Sequence, residues 1–442
     1  METGSGAEER GHVIAEYWDA LRLFSRNVRL YLVFGTFGGL CYVGLEGILL
    51  SLFLLRLGYG LERIGLILSV AGITQLVCSA PAGLWGTRQG PRQALVAGGI
   101  LYTLGLGAYP MTMFVPLHLR TSWLLATLVL SRAGASLVFV NAAPFLTDSS
   151  SSQERSYVFS FLFTLMPLGG FAGSLLAGVL PGLWATALGA SLDEAAPYGY
   201  ALLTGAALFV PAVAALLATS DPRRRAVGER GPAAAPAADA QPHLRRGTQA
   251  MPYGLIGAIM LVTLLQGASG GATGAFFTVY LDAKLGVPTT LIGTLGAAAK
   301  LLAMLAPLAV PLLMTRWGSA HTTVRTSLGV GLSLLPLALI PHWAGAGLGL
   351  VGAAVLSGMM TTAYHVYTQE SVAPQWRPAM QAAITMAGGA TSALIAFAGG
   401  HLIPAWGYSA FFVACASLTA ASGVLLAAHA RLQQAQRVRA AA

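Results

Sequence analysis

The stretches "TRQGPR" at 87–92 and "TRWGSA" at 315–320 share the pattern Thr-Arg-x-Gly, and they lie 228 residues apart in a chain of 442. Each follows a long apolar run. Two glycine pairs and one pair of basic residues share this offset of 228: Gly58 and Gly286, Gly65 and Gly293, Arg56 and Lys284. A fixed offset between several landmarks is typical of an internal repeat.

A second set of landmarks extends the repeat past the fourth and tenth apolar runs, where the offset becomes 222. Its members are Asp148 with Glu370, Arg155 with Arg377, and Gly178 with Gly400. The landmarks keep the same order in both halves. The sequence therefore predicts two parallel six-helix repeats that are related by an axis along the membrane normal.

Composition indicates a membrane protein. The chain is 55% hydrophobic and 9% charged, whereas soluble domains have about 25% charged residues. Twelve apolar runs, the first at 30–54 and the last at 405–429, are long enough to span a bilayer. Because a lipid-exposed backbone must satisfy its own hydrogen bonds, we expect an all-α membrane protein of twelve transmembrane helices. Cys41, Cys78 and Cys415 fall inside these helices, so we predict no disulfide, metal site or cofactor.

Charge distribution predicts the domain limits and the orientation. We expect a cytoplasmic segment 1–29 with an amphipathic anchor helix, a six-helix bundle 30–219, a linker 220–250, a second bundle 251–430 and a tail 431–442. Of the 25 Lys and Arg residues, 19 fall on the side of both termini. This bias places the termini in the cytoplasm and explains the net charge of +9 without nucleic acid. A composition rich in Ala, Gly and Arg favours a bacterial inner membrane.

The stretch "GLWGTRQGPR" after the second run resembles the loop motif of the major facilitator superfamily, and the likeness extends over essentially the whole chain. The matching residues are Gly83, Arg88, Gly90 and Arg92, with Arg316 and Gly318 in the second half. Thr87 and Thr315 stand where the family has an acidic residue that latches the cytoplasmic gate. The resemblance therefore implies either a weakened latch or a latch moved to Asp148 and Glu370, which are followed by Arg155 and Arg377 as in the family.

Three ionisable residues lie inside predicted spanning helices: Glu46, Arg132 and Lys300. Charges are expensive in a membrane, so each is a candidate for substrate binding or proton coupling. The resemblance implies that the helices carrying these residues contribute to a central cavity. We therefore expect the three side chains to converge there. Glu46 is the candidate proton site, while the two cations are candidates for an anionic substrate group. The alternative is a structural ion pair that joins helices.

Further polar residues are secondary candidates: Gln75, Gln266, Tyr364 and His365. The glutamines are explained equally well by hydrogen bonds between helices. The alternative for His365 is an ordinary position at the membrane interface. The stretch "PLGGFAGSLLAG" at 167–178 resembles an antiporter signature, with Ser174 where Pro would follow Gly. Close packing by small residues is the alternative there.

These features predict a secondary transporter that moves a small organic solute by alternating access, with proton-coupled export ahead of proton-coupled uptake. Protons, membrane lipid and a small molecule with an anionic group are the expected partners of a monomer. A nucleotide-binding loop of the Walker type is missing from the sequence, and so are common hydrolase motifs, so we expect no enzyme. A non-transporting receptor or assembly protein of the same fold remains the third alternative.

Overall fold

The computed structural model describes residues 24–151, 154–220, 253–372 and 376–441. Across these ranges, ten continuous helical stretches are long and apolar enough to cross a membrane. Two of the ten contain a break in the backbone, at Gly318 (φ 76°) and at Gly407 (φ 83°). Dividing them there gives twelve helices, which agrees with the predicted number.

The first half contains α1 (Arg26–Arg56), α2 (Leu61–Gln89), α3 (Pro91–Phe114), α4 (Leu117–Ser149), α5 (Arg155–Leu188) and α6 (Ala195–Leu217). The second half contains α7 (Tyr253–Lys284), α8 (289–317), α9 (319–339), α10 (Trp343–Ser371), α11 (377–406) and α12 (408–441). Most helices extend a few residues past the apolar runs, because the intrahelical hydrogen bonds continue where the side chains turn polar. The last helix continues to Ala441, beyond the predicted end at 429.

Two predicted segments fall largely outside the described residues: positions 1–23 of the N-terminal segment and positions 221–250 of the linker. The described chain begins at Phe24, whose buried ring meets Phe161 edge-on at 5.6 Å between centroids. Ser25 then caps α1, because its hydroxyl accepts a hydrogen bond from the backbone N–H of Val28 at 3.3 Å.

Glycines in the left-handed backbone region show the repeat directly. Gly58 and Gly286 follow α1 and α7, with φ of 84° and 61°. Gly90 and Gly318, inside the two Thr-Arg-x-Gly stretches, have φ of 96° and 76°. Both pairs are 228 residues apart, and Gly189 and Gly407 form a third pair after α5 and α11. Because only glycine adopts these angles without strain, the turns of one half recur in the other.

Close glycine contacts join the two halves at two equivalent places. At Gly65 of α2, an added Cβ would lie 2.7 Å from the Cα of Gly400 in α11. At Gly293 of α8, it would lie 2.6 Å from the Cα of Gly178 in α5. These four residues are the repeat-related glycines of the sequence. Small residues let transmembrane backbones approach closely, so the repeat builds both contacts with the same chemistry.

Candidate functional site

The helix α1 carries Glu46 into the interior of the first half. Between Gly39 and Glu46 the helix widens into a π-helical stretch, a deviation that is frequent at functional sites. The carboxylate is 2% exposed, and one of its oxygens pairs with a guanidinium nitrogen of Arg132 in α4. Its other oxygen accepts a hydrogen bond from the hydroxyl of Tyr102 in α3, at 2.8 Å. Glu46 is therefore a buried carboxylate with partners on two helices.

Arg132 lies between this carboxylate and a cavity at the interface of the halves. Its guanidinium carbon stands 5.0 Å from the centre of the Tyr42 ring, within the range of a cation–π contact. The cavity has a volume of about 210 Å³ and is lined by α1, α2 and α4 from one half and by α7 and α11 from the other. Among its lining residues, Arg132 is the charged one, whereas Glu46 does not line it. Its second-half wall includes Gly270, Gly271 and Gly274.

Lys300 does not join this pair. Its ammonium group donates a hydrogen bond to the hydroxyl of Ser174 in α5, at 2.8 Å, and its stem lies against Gly170. The reason is that α8 packs against α5 across the interface and contributes no residue to the lining of the cavity. Of the three charges, Glu46 and Arg132 contact each other, Arg132 alone lines the cavity, and Lys300 lies apart from both. Ser174, which stands where the antiporter signature has Pro, is the residue that accepts the hydrogen bond from Lys300.

Of the secondary candidates, one lines the cavity and the other three do not. Gln75 lines the cavity, and its side-chain oxygen accepts a hydrogen bond from the Tyr42 hydroxyl at 3.3 Å. Gln266 instead donates to the Ser327 hydroxyl at 3.2 Å, inside the second half. The Tyr364 hydroxyl donates to the backbone oxygen of Ile259 at 2.9 Å and likewise joins helices of the second half. His365 is half-buried and does not line the cavity.

Arginines of the predicted gate loops cap helix ends within the first half. Arg92 donates to the backbone oxygens of Thr219 and Leu217 at the end of α6, at 2.8 and 2.9 Å. Arg155 donates to the backbone oxygen of Thr147 near the end of α4, at 3.2 Å. Such contacts satisfy carbonyl groups that a helix end leaves unpaired.

The other gate-loop residues are mostly exposed. The Glu370 carboxylate accepts a hydrogen bond from the Ser319 hydroxyl at 2.6 Å, within the second half. Arg88, Asp148 and Arg316 are exposed, and the side chain of Arg377 is outside the described set. Gly83 faces Val140 of α4, and Gly90 and Gly318 form the turns described above. The hydrogen bonds of Arg92, Arg155 and Glu370 therefore each lie within one half.

On the side away from the termini, polar contacts do cross between the halves. Arg56 at the end of α1 forms two hydrogen bonds to the Asp282 carboxylate in α7, at 2.8 and 2.7 Å. The hydroxyls of Tyr198 and Thr289 lie 3.1 Å apart on the same side. The structure is thus closed on the side away from the termini. Sequence reasoning singled out Arg56 only as the repeat partner of Lys284, and it had no signal for Asp282, Tyr42 or Tyr102.

Comparison with known proteins agrees with this architecture. The sequence model of the Major Facilitator Superfamily matches residues 32–396. No curated protein sequence matches the chain significantly.

Among solved structures, the fold is similar to that of a mutant of the nucleoside transporter NupG, with a TM-score of 0.68, 14% identity, and coverage of 91% of this chain and 99% of the other. A D-xylose-proton symporter gives a TM-score of 0.70, 12% identity and coverage of 91% and 96%. The peptide transporter POT in complex with sulfate gives 0.66, 15% and coverage of 92% and 94%. The chain therefore belongs to the major facilitator superfamily, and it is a membrane transporter rather than an enzyme.

Proposed function

We propose that the protein is a proton-coupled secondary transporter of a small organic anion. The two units that rock about the cavity are the bundles 30–219 and 251–430. Glu46 is the proton site, and Arg132 is the cation that receives the anionic group of the solute. The arrangement that carries the proposal is the burial of Glu46 behind Arg132, with Arg132 as the charged residue that lines the cavity.

This arrangement links the proton to the solute. When Glu46 is ionised, its charge pairs with Arg132 and competes with an anion in the cavity. When Glu46 is protonated, that competition ends and Arg132 is available to the anion, so a proton and an anion bind more tightly together than separately. Co-binding is the requirement for symport. In a bacterial inner membrane, with the termini in the cytoplasm and the proton gradient inward, symport gives uptake.

Export by exchange is the second candidate, and the glycines of α5 support it. Exchange requires that the proton and the solute compete for one site. A cationic solute would need the Glu46 carboxylate, which is 2% exposed and stands behind Arg132. Uptake is therefore the better supported direction. The D-xylose-proton symporter among the similar folds supports proton coupling on this scaffold.

Proton flux in reconstituted liposomes tests the proposal. Organic anions and organic cations are added in turn to vesicles that contain wild type, Glu46→Gln or the control Glu62→Gln, whose parent carboxylate is exposed on α2. We expect anions to drive protons in the same direction as the solute, and we expect Glu46→Gln alone to abolish that flux. The control separates loss of a specific carboxylate from loss of any negative charge.

Two results would overturn the proposal. Proton movement opposite to the solute would establish exchange and hence the second candidate. Undiminished coupled flux in Glu46→Gln would make the pair with Arg132 a structural one, and the proton site would then be sought at Asp148 and Glu370. Circular dichroism of each variant verifies that the helices are intact.

A further inference from the structure

A second cavity lies entirely within the first half, and its wall is almost wholly carbon. Its volume is about 300 Å³, at the lower end of the range for small-molecule sites. Helices α1, α3, α4, α5 and α6 contribute to it. We call it the aromatic chamber after the rings that dominate its wall: Tyr31, Phe34, Tyr102, Phe139, Phe163 and Phe209.

The aromatic chamber adjoins the cavity at the interface of the halves, which we call the charged cavity after Arg132, at one residue. Tyr42 lines both cavities, while its hydroxyl bonds to Gln75 and its ring carries the Arg132 guanidinium at 5.0 Å. Tyr102 connects the two in another way, because it lines the chamber and donates its hydroxyl to Glu46. A molecule whose charged end meets Arg132 therefore has an apolar space next to it, beside the Tyr42 ring.

Of three glycines on α1 near the chamber, one faces free space and the other two are packed tightly. An added Cβ at Gly35, which also lines the chamber, would lie 2.9 Å from a methyl carbon of Leu162, and one at Gly39 would overlap the Met166 backbone oxygen. At Gly38, which lines the chamber, an added Cβ would meet nothing within 4 Å. The free space on α1 is therefore localised at Gly38 and is not a product of loose packing along the helix.

We propose that the transported solute is a carboxylate with an aromatic, apolar body, such as an arylalkanoate. Its carboxylate meets Arg132 in the charged cavity, and its ring passes Tyr42 into the aromatic chamber. Aromatic rings pack well edge-on or offset against the rings of such a wall. The inference rests on the proposed function, since it assigns the solute class to the same site.

The wall excludes other solute classes by the same chemistry. Sugars and nucleosides carry several hydroxyl groups, and burying one without a hydrogen-bond partner is costly. The hydroxyls of Tyr42 and Tyr102 are already bonded to Gln75 and Glu46. Of the wall tyrosines, that leaves the hydroxyl of Tyr31, so a polyhydroxylated solute would leave most of its groups unpaired in the chamber, whereas a phenyl ring would not.

Direct binding to the purified full-length chain in nanodiscs tests the inference, without any proton gradient. The probes are benzoate, phenylacetate, 3-phenylpropionate and 4-phenylbutyrate, together with lactate and the uncharged 3-phenylpropionamide. Empty nanodiscs correct for partition into lipid. We expect affinity to rise about fourfold for each added methylene until the chamber is full, and we expect lactate and the amide to bind weakly.

Three leucine variants localise the ring. Gly38→Leu and Ala142→Leu both fill the aromatic chamber, whereas Gly257→Leu adds the same side chain on α7 at a position where a Cβ meets nothing within 4 Å. We expect the two filling variants to lose the gain from added methylenes and to keep the weak binding of benzoate. The control should bind like wild type, and thermal unfolding identifies any variant that fails to fold.

The outcomes separate the solute class from the coupling mechanism. The inference would be overturned if the amide bound as tightly as 3-phenylpropionate, because the site would then accept an uncharged apolar molecule such as a lipid chain. Equally tight binding of lactate would also overturn it. So would an unchanged gain in affinity per methylene in both filling variants. If 3-phenylpropionate binds as expected but moves no protons in liposomes, the coupling proposal fails and the solute class stands. If lactate drives proton flux through Glu46 as well as 3-phenylpropionate does, the coupling stands and the solute class fails.

Discussion

The ion pair between Arg56 and Asp282 holds the two halves together on the side away from the termini, and removing it should shift the molecule toward the form that is open there. The two side chains are 16% and 9% exposed, and two hydrogen bonds of 2.8 and 2.7 Å join them. Arg56 also donates to the backbone oxygen of Leu192 at 2.8 Å, which orients its guanidinium. Asp282→Asn removes the charge and keeps the shape.

The magnitude follows from this partial burial. An exposed ion pair contributes about 0–1 kcal/mol, and breaking a fully buried one costs about 3–5 kcal/mol. A bidentate pair of intermediate exposure lies between, at about 2 kcal/mol, which corresponds to a factor of about 30 in an equilibrium constant. An open form that makes up about 1% of the wild-type molecules would then rise to about a quarter.

Pulsed electron–electron double resonance measures this shift as the distance between two spin labels. One label is at Leu117 in the first half, and the other is at His342 in the second. Both positions are exposed, at the starts of α4 and α10 on the side of the ion pair. We expect Asp282→Asn to add a longer distance that the charge-swapped variant Arg56→Asp with Asp282→Arg largely removes. Lys284→Gln is the matched control, because Lys284 is the exposed repeat partner of Arg56. A distribution unchanged in Asp282→Asn, or changed equally by the control, would refute the reasoning.

Three further substitutions test the packing and the buried pair. Gly65→Val should hold the halves apart in the same resonance assay, because its Cβ would lie 2.5 Å from a backbone oxygen of α11, whereas Gly60→Val has no atom within 4 Å and should not. Arg132→Met should lower the stability to thermal unfolding by about 3–5 kcal/mol, because it leaves a buried carboxylate unpaired; adding Glu46→Gln should restore most of it, and an additive loss would count against the pair. Gly318→Ala should destabilise by about 1–2 kcal/mol, since its φ of 76° is unfavourable for a residue with a Cβ, and an unchanged melting temperature would contradict the assigned turn.

Several features of the site could be predicted because a membrane makes them conspicuous. A charge inside an apolar run stands out, so Glu46, Arg132 and Lys300 were identifiable without coordinates. Arg132 and Glu46 are 86 residues apart in the chain, and their contact depends on the tertiary arrangement that brings these side chains of α1 and α4 together. Lys300 carries the same signal in the sequence, yet its partner is Ser174. Which face of a helix meets which neighbour is a property of packing, and a run of apolar residues does not encode it.

The sequence by itself determined the twelve helices and the repeat, because lipid imposes length and hydropathy on each span, and the turns between spans require glycine at matching positions. The same glycines, Gly65, Gly178, Gly293 and Gly400, marked the repeat in the sequence, but the structure showed that the halves touch at them. Only the tertiary structure decided that Arg132 faces the charged cavity while Glu46 lies behind it, and that aromatic rings from five helices line one chamber. The physical reason is that lipid acts on each helix separately, whereas a cavity is made by side chains from several helices whose rotation is set by mutual packing.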